Sequence, residues 1–194
     1  AWLAKSLGSS TLNFDFVNNL VDGNFSKNQG GNWTGYKAAG GGMISGFGTS
    51  TLNANIINST ITNNTYQGTQ TSAGSALICV SQEIAGSPKV SLNVYNSILF
   101  GNESTTPIGY WENGTSYEKV NNLMMRNNIT EVTTPNNYAL VSTSIVNNSN
   151  TDPEFTDASA SNYTLKATSS AIDAGDVTGL SLIHISEPTR LGMI

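Results

Sequence analysis

Five acids crowd one short stretch towards the C-terminal end: Asp152, Glu154, Asp157, Asp173 and Asp176. Calcium takes hard carboxylate oxygens, so Asp152, Asp157 and Asp173 are the candidate metal ligands, although their spacing matches no established loop motif. Asp is equally a turn former, and that reading stands beside the metal one. No other cofactor is expected. Asp15, Asp22 and Glu83 are scattered, with no two acids at adjacent or alternate positions of a strand-like run. The close carboxylate pair of a glycosidase is therefore missing, and no catalytic residue is assigned. Arg126 falls in an expected turn and Lys27, Lys37 and Lys89 in expected loops, where each reads as a solvated side chain before it reads as a base. Cys79 is the single cysteine, so there is no internal disulfide and no Cys-based metal cluster; within ALICV it reads as a buried, inert thiol. Trp33, Tyr36, Tyr110, Trp111 and Tyr117 lie in two looser stretches, about 30–41 and 103–119. They would serve as stacking platforms for sugar rings, or would pack those loops onto the rest of the chain.

The elements that must position these residues repeat. Thr51–Asn64, TLNANIINSTITNN, is echoed by TLNFDFVNNLVDGN at Thr11–Asn24 and SLNVYNSILFGN at Ser91–Asn102. One column holds Asn18, Asn58 and Asn96, and another holds Asn24, Asn64 and Asn102. Leu12, Leu52 and Leu92 align ahead of them, followed by Asn13, Asn53 and Asn93. Each unit is preceded by AWLA, GMIS or ALIC, starting at Ala1, Gly42 and Ala76, 41 and then 34 residues apart. Such a period points to a solenoid.

Leu12, Phe14 and Phe16 alternate with Thr11, Asn13 and Asp15, a period of two with one face inward. Strands are expected at WLA, Thr11–Phe16, Met43–Ser45, Leu52–Ile57, Thr60–Thr62, Leu77–Val80, Val90–Tyr95 and Ile98–Phe100. The stretch 103–119 reads as a side loop or hairpin. Val120–Ile129 reads as a shorter fourth unit on the spacing of Asn122 and Asn128, and Tyr138–Val146 as a strand pair. Three short strands per unit, in units of unequal length, make a parallel β-helix. Asn tolerates the left-handed backbone of a sharp corner, and stacked Asn side chains hydrogen-bond along the axis, so both Asn columns are expected to do both.

Charged residues make up only 11% of the chain and the net charge is −5, which argues against nucleic acid or an anionic membrane as partner. β-branched runs broken by Asn and Gly are unlike a disordered chain. No apolar run reaches the length of a membrane span. Asn-x-Ser/Thr triplets at Asn24, Asn58, Asn102, Asn113 and Asn128 read as composition before they read as glycosylation sites. The chain lacks an initiating Met and starts inside a repeat, so a cut end is expected there. From Leu180 the composition changes, and LSLIHISEPTR resembles one reading frame of the transposase adapter used in sequencing libraries. Residues 180–194, with the single histidine His184 and with Arg190, are therefore expected to be a non-native tail on a metagenomic fragment.

NTDPEFTDASASNYTLKATSSAIDAGD, at Asn150–Asp176, resembles the closing motif of secreted bacterial right-handed parallel β-helix repeat proteins of the pectin-lyase-like superfamily, of the choice-of-anchor type. NSILFGN at Asn96–Asn102, DPEFTD at Asp152–Asp157, YTL at Tyr163–Leu165 and SSAIDAG at Ser169–Gly175 carry the likeness; Ser170 stands where that group has Pro. The resemblance implies an all-β solenoid over 1–149 and a C-terminal cap over 150–179. In that cap Phe155, Tyr163, Leu165, Ala171 and Ile172 would cover the open end. It also implies an extracellular or outer-surface location, with acidic polysaccharides as the substrates typical of the superfamily. The expected role is a non-catalytic, monomeric, adhesin-like scaffold contacting polysaccharide or a cell-surface glycan. A fragment of a polysaccharide lyase or glycoside hydrolase is the alternative, and a structural spacer a second.

Overall fold

The computed structural model describes residues 2–27, 40–67, 76–82, 89–102, 108–112, 120–131 and 140–176. The first unit contains β1 (Trp2–Ser6), β2 (Thr11–Val17), β3 (Leu20–Asp22) and β4 (Phe25–Lys27). The second contains β5 (Gly42–Phe47), β6 (Thr51–Ile57), β7 (Thr60–Thr62) and β8 (Thr65–Gln67). The third adds β9 (Leu77–Gln82), β10 (Lys89–Tyr95) and β11 (Ile98–Phe100), and the fourth β12 (Ile108–Glu112), β13 (Val120–Arg126) and β14 (Ile129–Thr130). Beyond them come β15 (Leu140–Val146), β16 (Phe155–Asp157), a 3-10 turn at Ala158–Ala160, and β17 (Asn162–Leu165).

The protein is all-β, and its main sheets are parallel. Corresponding strands of successive units lie side by side, in the orders β1-β5-β9-β12, β15-β13-β10-β6-β2 and β14-β11-β7-β3. β4 pairs with β8, also in parallel, and among the described residues only β16 and β17 run antiparallel. Side chains alternate along each strand, and one parity of all three main sheets meets in a shared core. Ala4, Ile44, Leu77 and Ile108 come from the first sheet. Leu52, Ile56, Leu92, Val94, Leu123 and Met125 come from the second, and Val21, Ile61 and Leu99 from the third. The core therefore consists of rows of like residues, such as Phe16, Ile56, Val94 and Met125 across four strands. In the first unit, Trp2, Phe14 and Phe16 are only partly buried and close on one another, with Trp2 5.1 and 5.0 Å from the two phenyl rings. Gly42 leaves room for that indole, because a β-carbon there would lie 2.4 Å from Trp2 Cε2.

Several expectations change in register or extent. Leu92 pairs with Ala54 and Val90 with Leu52, so the proposed Leu12/Leu52/Leu92 column is slipped by two residues in the third unit, and Asn93 faces Asn55. A two-residue slip keeps every side chain on its face, which is why the alternation concealed it. The AWLA column is off by one, since Trp2 and not Ala1 lies beside Gly42. Ile108–Glu112, expected within a side loop, is strand β12, because β9 offers it a parallel edge and Ile108 fills the core. The expected strand pair at Tyr138–Val146 is the single strand β15. β4 and β8, each three residues long, extend the first two units beyond the strands expected from the sequence.

Two kinds of corner carry the Asn columns. Between the second and third sheets, Asn18, Asn58, Asn96, Asn127 and Asn147 all have positive φ, between 48° and 57°. This is the left-handed region that Asn tolerates best among residues with a side chain. The residues that follow form a ladder. Asn19 N–H donates to Ser59 Oγ (3.2 Å), Ser59 N–H to Ser97 Oγ (3.1 Å), Ser97 N–H to Asn128 Oδ1 (2.9 Å) and Asn128 N–H to Asn148 Oδ1 (2.9 Å). At the next corner the left-handed residues are Gly23, Asn63 and Gly101, and Asn24, Asn64 and Asn102 supply the ladder. Asn64 Nδ2 donates to Asn102 Oδ1 (3.0 Å), while Asn64 Oδ1 accepts from Asn24 Nδ2 (2.9 Å). The two Asn columns thus have separate tasks, one turning the backbone and the other hydrogen-bonding between units. In the fourth unit it is Asn127 that turns the chain, while Asn128 belongs to the ladder.

Candidate functional site

Structure and sequence agree on where the acids lie along the chain, not on what they surround. Among the described residues no group of three or more His, Cys, Asp or Glu side chains is placed to hold a metal ion. Asp152, Asp157 and Asp173, expected as candidate ligands, therefore do not converge. Asp152 Oδ1 accepts from the Glu154 N–H (2.7 Å), Asp157 Oδ1 accepts from Ser159 Oγ (2.6 Å) and from the Ala160 N–H (3.2 Å), and Asp173 is an exposed left-handed residue (φ 57°). These are turn geometries, and local Asx bonding wins over convergence. The Ser159 hydroxyl, followed by the Ala160 N–H, holds the Asp157 carboxyl below its ordinary range.

Of the aromatic candidates, Trp33, Tyr36 and Tyr117 lie outside the described residues, as does the tail from Leu180. Tyr110 and Trp111 belong to β12, in register with Cys79 and Val80 of β9.

Residues 153–176 do not sit over the end of the stack. They lie along its flank, against the outer face of the third sheet. Ile98, Ile129 and Ala171 are buried together there, with Phe100, Phe155 and Leu165 packed around them. Tyr163 is buried, and its hydroxyl donates to Asp22 Oδ1 of the first unit (2.5 Å). At the far end of the segment, Asn96 and Asp176 bond reciprocally, Nδ2 to carbonyl at 3.0 Å and N–H to Oδ1 at 3.1 Å. Arg126, expected as a solvated side chain in a turn, ends β13 half-buried and pairs with Asp176 at 3.4 Å. The expected end cap is thus a strap joining the first, third and fourth units. Of the residues expected to cover the end, Ile172 remains exposed. Burial, followed by the neighbouring Asp22 carboxylate, raises the Tyr163 pKa.

Two features escaped sequence reasoning. Glu131, just after β14, accepts the Gly101 N–H (3.0 Å) and stands in for the missing fourth member of the Asn24/Asn64/Asn102 ladder; burial raises its pKa. The outward face of the five-stranded sheet also carries side-chain rows. Asn53 Nδ2 donates to Asn13 Oδ1 (2.9 Å), Asn55 Nδ2 to Asp15 Oδ1 (2.7 Å) and Asn93 Nδ2 to Asn55 Oδ1 (2.8 Å). The aligned column Asn13/Asn53/Asn93 was the available signal, but the register of the third unit sets Asn93 beside Asn55 instead.

Two of the Asn-x-Ser/Thr positions are closed to modification in the folded chain. Asn102 and Asn128 are buried, and their amide nitrogens donate to Ile61 O (2.8 Å) and Val94 O (2.9 Å). Among the described residues no helix is long and apolar enough to cross a membrane. Comparison with family models, with curated proteins and with solved structures finds no match.

Proposed function

We propose that the chain is a right-handed parallel β-helix of the secreted, pectin-lyase-like kind, displayed outside the cell as a non-catalytic, adhesin-like scaffold that contacts polysaccharide. Shared parallel sheets, one strand per unit in each, support the solenoid, and crossovers between parallel strands are overwhelmingly right-handed. The observation that carries the functional reading is how the charged groups are used. Asp15 bonds Asn55, Asp22 bonds Tyr163 and Asn63, Glu131 bonds Gly101, and Arg126 pairs with Asp176. These side chains tie units or segments to one another, as befits a rigid display surface. The test incubates the full chain with acidic and neutral polysaccharides, with and without calcium. Release of unsaturated or reducing ends is followed beside gel retardation. Retardation without cleavage is the expected result. Cleavage would replace this reading with a lyase or hydrolase, and inertness towards every polymer would leave a spacer.

A further inference from the structure

Resting on the glycan-contacting reading, we infer that the outward face of the five-stranded sheet seats an extended, uncharged, β-linked polysaccharide lying along the direction in which the units stack. The rows Asn13–Asn53 and Asp15–Asn55–Asn93 cross the strands at right angles, and their mutual hydrogen bonds fix each side chain. An Asn carboxamide has two donor hydrogens and two acceptor lone pairs. The ladder uses one hydrogen of Asn53, Asn55 and Asn93, so each presents a further donor on the half-buried outer face. Because the rotamers are already held, little side-chain entropy is lost when a ligand is hydrogen-bonded.

The repeat identifies the shape of the ligand. Neighbouring strands lie about 4.8 Å apart, so each row offers a polar group at that interval. This is close to the advance of one pyranose ring along an extended β-linked chain, and successive sugar hydroxyls would meet successive carboxamides in step. Charge identifies its class. Among the described side chains of this face, Asp15 and Lys89 oppose one another, and Arg126 is paired with Asp176. A polyanion such as pectin would need surplus cations, and this face supplies none. The third sheet's outer face is occupied by 153–176, whereas Asn13 and Asp15 are exposed.

The experiment is affinity electrophoresis of the full chain through a soluble mixed-linkage β-glucan and, separately, through polygalacturonate. The variants are Asn53→Ala, Asn53→Asp and Asn55→Ala, with Lys166→Ala on the strap as control. The glucan should retard the parent chain and the control, and each Asn variant should bind about tenfold more weakly. Asn53→Asp keeps the side-chain shape, and the Asn13 carboxamide can turn to donate to the new carboxylate, so loss of binding at unchanged thermal stability separates recognition from folding. Retardation that all three variants retain would overturn this seat while leaving the glycan-contacting reading intact. Preference for polygalacturonate would overturn the ligand class. No retardation in either gel, or in other glycans, would sink both readings. Self-association that the Asn variants abolish would give the face to a second copy and overturn the proposal.

Discussion

Asn58 and Asn64 occupy successive corners of the second unit and do different work. Asn58 holds φ at +49°, a conformation that costs an ordinary L-residue roughly 1–2 kcal/mol. Asn64 is fully buried, accepts from Asn24, and donates to Val21 O (3.0 Å), Thr62 O (2.8 Å) and Asn102 Oδ1. Asn58→Ala should therefore lose about 1 kcal/mol in denaturant unfolding, while Asn58→Gly should be nearly neutral. At Asn64 Gly offers no such relief, because neither Ala nor Gly restores the lost bonds. Stranding several buried partners should cost on the order of 3 kcal/mol. Equal losses for Asn58→Gly and Asn64→Gly would contradict the division of labour between the columns.

Among the elements, the corner closed by Glu131 and the 3-10 turn capped by Asp157 respond oppositely to pH. Asp157 has its pKa lowered, so its contribution is present above its ordinary value of 3.8 and is lost as pH falls through the folded value. Glu131 has its pKa raised from 4.5 by burial, so the benefit of its neutral form is complete below that value and disappears as pH rises through the folded one. Glu131→Gln should remove the second dependence and leave the protein no less stable at pH 7. Asp157→Asn should flatten the first. Thermal unfolding between pH 2 and 7 reads both, and a Glu131→Gln profile that still falls as pH rises above 4.5 would show that this burial is not felt. The core strands were legible because alternation survives a two-residue register error. β12 was not, since IGYWE lies between the loop formers Thr-Thr-Pro and Asn-Gly-Thr, and only the edge of β9 makes it a strand.

At the scale of the whole molecule, the strap makes distant units interdependent. Tyr163 reaches Asp22 across 141 residues of sequence, while Asp176 holds Asn96 and Arg126 in the third and fourth units. A repeat stack with nearest-neighbour contacts alone frays from its ends. Tyr163→Phe removes the hydroxyl and keeps the ring, so amide exchange should quicken in Leu20–Asp22 and spare the buried centre around Leu92. Uniform acceleration across all units would mean that the bond contributes to global stability without pinning the first unit.

By itself the sequence determined the all-β class, the inward and outward parity of the long strands, and the Asn corners. Each is a local matter of alternation or of a backbone angle that few residues accept. It also located the C-terminal motif, but as an end cap. The exact register of the third unit, the strand at Ile108–Glu112, the separate tasks of the two Asn columns, and the strap's seat on the third sheet were decided only by tertiary structure. The physical reason is common to all four. Each depends on which strand edge or face is already in place beside a segment, and contacts with elements 31 or more residues away outweigh what the segment's own composition prefers.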